Sequence, residues 1–187
     1  MALEALDAQI GELLAGAERC LSDKQTLAAL VLIYASIDIM GSLERAEGEG
    51  TRKSFIRWAD AYLLPRDSLP CTSLELYAAR CGVLHTLTAD ADLTREGKAR
   101  RILYSWGTAQ ADELREVSRR LKKDVVSIHI GDLRQAVVDG VAAYRRDLEH
   151  DSARRAAVER QVAQWFTFLP VEVARAFLER TGGKPAA

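Results

Sequence analysis

The segment from Leu27 to Met40 is apolar on almost every side, and it constrains the fold of this chain more than any other feature. A helix that is apolar all round packs against other elements over most of its surface. The segment contains four β-branched residues that would also suit a strand, namely Val31, Ile33, Ile37 and Ile39. Its length favours a helix. The sequence therefore predicts a central helix that is buried on most sides.

Amphipathic patterns before and after this segment predict further helices. Two capping-box signatures mark helix starts, Ser22 with Gln25 and Thr72 with Glu75. In chain order, the predicted helices cover about residues 3–21, 22–44, 51–64, 73–88, 108–123, 132–149, a helix whose inward positions run from Val158 to Leu169, and 171–180. Two short apolar runs, 101–106 and 125–130, are each ended by glycine and predict a small two-stranded β ribbon.

These elements predict an all-α, antiparallel helical bundle with additional C-terminal helices. The chain has 187 residues, which suits one domain covering 1–187. Within it we distinguish a core of about 22–106 and a C-terminal helical extension of about 108–181.

Net charge, hydrophobic run length and cysteine content limit the classes of function that this sequence can have. The formal net charge of −1 argues against a whole-surface binder of nucleic acid or membrane, although it leaves room for a local basic patch. We expect no membrane partner, because no apolar run reaches the roughly 18 to 20 residues of a membrane span. The start of the chain lacks the pattern of a secretory signal, and three cysteines without metal-site spacing fit the cytoplasm. We expect no metal and no cofactor.

The informative string is Leu74-Glu75-Leu76-Tyr77-Ala78-Ala79-Arg80-Cys81-Gly82-Val83-Leu84-His85-Thr86. Arg80 and His85 stand five positions apart, which in an α-helix separates them by roughly 140° around the axis and about 7.5 Å along it. We therefore expect the two side chains not to stack on each other, and both to reach the edge of one groove. Helix geometry alone leaves two interpretations: a pair with chemical work, or an arginine and a histidine that satisfy neighbouring polar groups.

An arginine, four intervening residues and a histidine near the end of a helix resemble the HEPN family, the higher-eukaryote and prokaryote nucleotide-binding domains. The likeness covers about Gln25 to Trp106, including the helix with Tyr34, Ser36 and Asp38. It is similar to a HEPN-like subgroup of uncharacterised bacterial proteins. The portion after Trp106 adds no motif.

The resemblance implies a metal-independent endoribonuclease that acts as a homodimer, in a toxin or defence role with an antitoxin protein as partner. It implies that His85 is the general acid or base and that Arg80 binds the scissile phosphate. The chain departs from the family at Cys81, where a polar residue, commonly asparagine, helps to orient the dyad. The alternative is a non-catalytic HEPN-like dimer that binds nucleotide, RNA or a protein.

Several further residues are candidates for a supporting role. Asp38 interrupts an apolar helix, so it either orients Arg80 from a facing helix or is satisfied locally in the stripe of Asp38, Ser42 and Arg45. Tyr77 either touches substrate or packs in a dimer seam, and packing is the stronger interpretation. Cys81 fits a small buried side chain. The basic group, here meaning Arg95, Lys98, Arg100 and Arg101, either contacts RNA phosphates or is a solvated surface.

Overall fold

The described part of the chain is mainly helical, with one small sheet. We analysed a computed structural model of the chain, which describes residues 2–65, 69–88, 91–120, 124–165 and 171–181. The described helices and strands are α1 (Ala2–Ser22), α2 (Thr26–Ser42), α3 (Thr51–Trp58), α4 (Ser73–Cys81), α5 (Asp92–Arg95), β1 (Arg101–Ser105), α6 (Ala111–Arg120), β2 (Val125–His129), α7 (Ile130–His150), α8 (Ser152–Val162) and α9 (Val171–Thr181). Two π-helical turns extend α3 and α4. The first π-turn is Ala59–Leu63 and the second π-turn is Gly82–Thr86.

Helix α2 forms the centre of the core, as its apolar pattern predicts. Ile33, Tyr34 and Ile37 are fully buried, and Met40 is 1% exposed. Helices α1, α3 and α7 and the second π-turn all pack on α2. Burial on several sides explains why this segment needs no polar face.

The predicted capping box at the start of α2 is wrong. Ser22 belongs to the end of α1, where its hydroxyl donates to the Glu18 carbonyl at 3.1 Å. Gln25 is the N-cap residue of α2 and provides no side-chain cap. The chain turns between the helices through Lys24, whose φ of 60° is left-handed, and Gln25 N donates to Cys20 O at 2.7 Å. The tight turn leaves Ser22 on the wrong side of the connection.

The second predicted capping box, at the start of α4, is confirmed. Glu75 N donates to Thr72 Oγ1 at 3.2 Å, and Thr72 N donates to Glu75 Oε2 at 2.8 Å. Glu75 is 5% exposed and also accepts from Arg100, at 2.5 Å from Nε and 3.2 Å from Nη2. The cap therefore fixes the start of α4 against the residue that precedes β1.

The two predicted strands are confirmed, and they pair in parallel, from Arg101 opposite Val125 to Ser105 opposite His129. A parallel pair needs a crossover connection, and α6 supplies it. The hydroxyls of Tyr104 on β1 and Tyr34 on α2 are 2.5 Å apart, which joins the sheet to the central helix. Burial raises the pKa of both tyrosines.

The other predicted helices lie close to their expected positions. The helix predicted at 51–64 is α3 followed by the first π-turn, and the one predicted at 132–149 is α7. The end of the helix predicted at 108–123 and the inward position Leu169 fall outside the described residues. Among the helices that the structure describes, none is both long enough and apolar enough to span a membrane.

Candidate functional site

The second π-turn brings Arg80 and His85 into direct contact. Arg80 Nη1 lies 2.7 Å from His85 Nε2. The predicted separation of these two residues assumed an α-helix from Arg80 to His85, but the α-helix ends at Cys81 and a π-helical turn follows. A π-helical turn hydrogen-bonds residue i to residue i+5 and so takes one more residue than an α-helical turn. The extra residue turns His85 back toward Arg80.

Gly82 is the residue around which this turn closes. Its carbonyl accepts from the backbone N–H of Leu87 and from Thr88 N, the latter at 3.1 Å, and Thr86 Oγ1 lies 3.2 Å from it. Gly82 and Val83 are buried against α2, whereas His85 is exposed. The turn therefore has a buried face that positions it and an exposed face that carries the imidazole.

Arg80 links the imidazole to the central helix. Its Nη2 forms an ion pair with Asp38 Oδ2 on α2, and its guanidinium carbon lies 5.9 Å from the centroid of the Tyr77 ring. The side chains of Arg80 and Asp38 are 11% and 21% exposed. The ion pair uses only Nη2 of Arg80, so Nη1 is available to donate to His85. Among the described residues, Asp38 Oδ1 and Arg80 Nε are buried without a hydrogen-bond partner.

These contacts determine the charges and the proton positions at the site. Burial acts to lower the pKa of Arg80, but the hydrogen bond and charge of Asp38 outweigh it, so the pKa lies above its ordinary value. An arginine can only donate, so His85 Nε2 is the acceptor in their contact. A neutral His85 then carries its proton on Nδ1. The site thus combines a fixed positive charge with an exposed imidazole.

Asp38 was expected either to orient Arg80 or to be satisfied by Ser42 and Arg45 on its own helix. The structure contains the contact with Arg80. The local stripe does not form: Ser42 Oγ donates to the Ile39 carbonyl at 2.7 Å, and Arg45 Nε donates to Ser54 Oγ at 3.1 Å. Asp38 therefore restrains Arg80 from a neighbouring helix.

Tyr77 and Cys81 lie beside the dyad, and both are half-buried. The Tyr77 ring packs edge-on against Phe55, with centroids 5.5 Å apart, so it packs within its own chain. Its pKa is raised by burial and by the neighbouring Cys81 thiol. Cys81 Sγ lies 3.9 Å from Arg80 Nη1.

The structure does not bring the basic group together as a set of free cations. Arg95 pairs with Asp92, Lys98 Nζ lies 2.7 Å from Glu96 Oε2, and Arg100 is bonded to Glu75. Arg101 lies on β1 and is half-buried. Contact of this group with RNA stays a prediction.

Sequence reasoning missed the role of Glu75 beyond its cap. Burial acts to raise the pKa of Glu75, but the Arg100 and Thr72 contacts outweigh it and lower that pKa. Glu75 and Arg100 hold the helix that carries Arg80, so Arg100 has a structural partner in the candidate site. In the sequence, Glu75 is visible as a capping acid and Arg100 as a basic residue just before a strand. Neither feature reveals that the two residues pair.

Comparison with known proteins identifies no relative. No family model, curated protein or solved structure matches the chain. A guanidinium held beside an exposed imidazole can bind a phosphate oxygen and move a proton at an adjacent atom.

Proposed function

We propose that this chain is a metal-independent endoribonuclease of HEPN type, and that Arg80 and His85 are its catalytic dyad. The observation that carries the proposal is the 2.7 Å contact between the Arg80 guanidinium and the exposed His85 imidazole. In the proposed fold, α1 to α4 form an antiparallel HEPN-like bundle and the second π-turn is the end of the motif helix.

The proposed reaction is attack of a ribose 2′-hydroxyl on the adjacent phosphorus. The bond from the 2′-oxygen to phosphorus forms, and the bond from phosphorus to the 5′-oxygen breaks, which leaves a 2′,3′-cyclic phosphate. A phosphate oxygen of the substrate replaces His85 Nε2 as the acceptor for Arg80 Nη1. The freed Nε2 then takes the proton of the 2′-hydroxyl. Arg80 stabilises the charge that develops on the phosphate. The leaving 5′-oxygen gains a proton.

A homodimer would supply the second proton-transfer group. One His85 acts as a base and the His85 of a second copy acts as an acid, so that two dyads face one RNA strand. Asp38 acts as a positioning residue for Arg80. A toxin or defence role, with an antitoxin protein as partner, belongs to the same proposal.

A second candidate function is a non-catalytic HEPN-like dimer that binds nucleotide, RNA or a protein. The observation that favours it is the state of Arg80, which is 9% exposed and already paired with Asp38. Cys81 stands where the family commonly has asparagine. The two candidates differ in whether a substrate phosphate can displace the Arg80 contacts.

Cleavage of a mixed RNA pool by purified protein in EDTA tests the proposal. We expect fragments that end in a cyclic phosphate, and a rate at least about 100-fold lower for His85→Ala, the loss typical of a missing acid–base group. His150→Ala is the matched control, because His150 is also exposed and lies at the end of α7.

Absence of cleavage by folded wild-type protein between about pH 6 and 8, a range that brackets imidazole titration, would remove the ribonuclease proposal. In that case, Cys81→Asn is the informative variant. Cleavage gained by this variant would assign the lost activity to Cys81. RNA binding without cleavage in both proteins would favour the second candidate.

A further inference from the structure

A cavity of about 280 Å³ borders the helical segment that carries the dyad. One wall contains Ala79, directly before Arg80, and Val83, which stands between Arg80 and His85, while α2 and β1 contribute other walls. Ligand pockets in proteins usually measure roughly 300 to 1,000 Å³, so a cavity of this size suits a single flat ring system. A group bound in it would lie next to the dyad.

Two exposed leucines line this cavity. Leu27, in the first turn of α2, is 47% exposed, and Leu87, directly after the second π-turn, is 66% exposed. Leu87 also has a left-handed backbone, which strains a leucine but not a glycine. Neither burial nor backbone conformation therefore favours leucine at this position. Strained residues cluster at ligand sites, and apolar side chains are surfaces on which a nucleobase can stack.

Arg100 is the one charged residue in the described lining of the cavity. Its Nε and Nη2 donate to the buried carboxylate of Glu75, and its Nη1 makes no hydrogen bond with any described residue. The side chain is 42% exposed, so a ligand can reach its outer edge. The other polar side chains of the lining carry hydroxyls, which donate or accept and so select no base. A guanidinium only donates, and Glu75 holds this one in place.

A fixed donor of this kind distinguishes the four bases of RNA. Guanine presents two adjacent acceptors, O6 and N7, which match the paired N–H groups of an arginine. Adenine and cytosine each place an amino donor on that edge, and uracil offers a single carbonyl acceptor. We propose that the cavity binds the base of a nucleotide next to the scissile phosphate, and that Arg100 selects guanine there. The inference rests on the proposed ribonuclease function, because it places RNA at the dyad.

Two measurements test the inference. The first is sequencing of the ends that wild-type protein leaves in a mixed RNA pool. We expect guanine at one position beside the cut to be enriched at least about tenfold, the discrimination of one paired arginine contact. The second is calorimetric titration with guanosine and adenosine 5′-monophosphates, which needs no cleavage. We expect the guanosine nucleotide to bind at least about tenfold more tightly.

Arg100→Lys tests the selection of guanine. A lysine keeps a cation beside Glu75 but lacks the planar fork, so the protein should stay folded while both preferences fall below about twofold. Arg115→Lys is the matched control, since Arg115 also pairs with an acid, Asp112 at 2.7 Å, but lies outside the described lining. It should keep both preferences. Circular dichroism checks the fold of each variant.

Leu87→Ala tests the apolar surface of the cavity. It should weaken binding of guanosine 5′-monophosphate at least about threefold and keep the preference for guanine, because it removes buried apolar area but no donor. Val117→Ala, at another exposed apolar position on α6, is the control. Binding that Leu87→Ala leaves unchanged would overturn the assignment of the base to this cavity.

The outcomes separate this inference from the ribonuclease proposal. Where RNA is cleaved, the sequenced ends decide: cleavage without a guanine preference, or with one that Arg100→Lys retains, would overturn the inference and leave the ribonuclease proposal standing. Where RNA is not cleaved, the titration decides. Guanine-selective binding that Arg100→Lys abolishes would support the cavity although the ribonuclease proposal fails, and unselective binding or none would overturn both.

Discussion

The first and second π-turns have similar surroundings, since each ends a helix beside an arginine that pairs with a carboxylate on or just after α2. At the first π-turn, the Tyr62 hydroxyl donates to Asp147 Oδ2 at 2.9 Å and accepts from Arg154 Nη2 at 2.8 Å. Arg154 forms a two-bond ion pair with Glu44, and its guanidinium carbon lies 5.1 Å from the centroid of the Tyr144 ring. We call these five residues the Arg154 cluster.

The two sites differ in the side chains that flank the arginine. Burial raises the pKa of Tyr144, whose ring packs edge-on against Tyr62 at 5.3 Å, so two aromatic rings flank the Arg154 guanidinium between the first π-turn, α7 and α8. The Arg80 site ends instead in His85, which faces solvent. The same kind of wide turn thus packs between helices in one place and, in the other, carries an imidazole to the surface beside a buried arginine. If this contrast is correct, changes at the first π-turn should affect stability, whereas changes at the second should affect chemistry.

The largest expected effect on stability follows from Arg154→Ala. It leaves Glu44 and the Tyr62 hydroxyl without their shared donor and removes the cation above Tyr144, so we expect the free energy of unfolding to fall by about 3 kcal/mol. Arg155→Ala is the matched control. Arg155 also pairs with an acid, Glu159, but at an exposed position, so its loss should cost less than about 0.5 kcal/mol. Urea denaturation measures both, and equal losses would contradict the contrast.

The next effect is expected from Gly140→Ala on α7. A Cβ at this position would lie 2.9 Å from the backbone oxygen of Tyr62, in the first π-turn. Backbone has to move, and the cost should exceed the gain in helix propensity by about 1 to 2 kcal/mol. Gly11→Ala in α1 is the control, because its Cβ would meet nothing within 4 Å. Thermal denaturation should show a lower midpoint for Gly140→Ala and an equal or higher one for Gly11→Ala.

Much of the fold was predictable because its signals are local. The apolar pattern of Leu27 to Met40 predicts the buried helix, and Thr72 with Glu75 predicts the start of α4. The parallel order of the strands was not predicted, since a ribbon was expected without its direction. The failed cap of Ser22 with Gln25 fits the same sequence pattern as the successful cap of Thr72 with Glu75, a serine or threonine followed three positions later by a glutamine or glutamate. The length of the turn that follows, rather than the capping pattern, decided the outcome there.

The candidate site was predictable in its members but not in its geometry. Arg80, His85 and Asp38 were all singled out, but the α-helix expected from Arg80 to His85 ends at Cys81, and the π-helical turn that follows lets the two side chains contact each other. The reason is physical: the angle between the two side chains depends on the number of residues in one turn, and an insertion that widens the turn has no reliable residue signature. The contact between Asp38 and Arg80 depends on the packing of two helices, which a single helical stripe does not reveal.

A smaller change in stability, but a large one in chemistry, is expected from Arg80→Lys. A lysine keeps the charge, but it lacks the planar fork that reaches Asp38 and His85 at once. We expect a loss of about 1 kcal/mol in stability and a fall of at least about tenfold in RNA cleavage or, for the non-catalytic candidate, in RNA affinity. Arg119→Lys on α6 is the control, since Arg119 also donates two hydrogen bonds to a carboxylate, that of Glu116, but at an exposed site. Unchanged RNA cleavage and RNA affinity in Arg80→Lys would show that the fork serves the fold alone.

The smallest expected effect follows from a difference in backbone conformation between the residues that come after the two π-turns. The residue after the first, Leu64, has a right-handed backbone with φ of −99°, whereas the residue after the second, Leu87, is left-handed with φ of 52°. A left-handed leucine costs about 1 to 2 kcal/mol, and the greater freedom of glycine in the unfolded chain takes back roughly half of that gain. The Leu87 side chain is 66% exposed, so its removal costs little burial.

We therefore expect Leu87→Gly to stabilise the chain by about 0.5 kcal/mol, measured by urea denaturation. Leu87→Ala is the matched control: it removes the same side chain but retains the Cβ that opposes the left-handed conformation, so it should not stabilise. If Leu87→Gly is destabilised as much as Leu87→Ala, the leucine side chain matters more than the backbone. Leu87 and Leu27 line one surface cavity, so that result would assign the exposed end of the second π-turn to packing against the start of α2. The second turn would then resemble the first more closely than its solvent-facing histidine suggests.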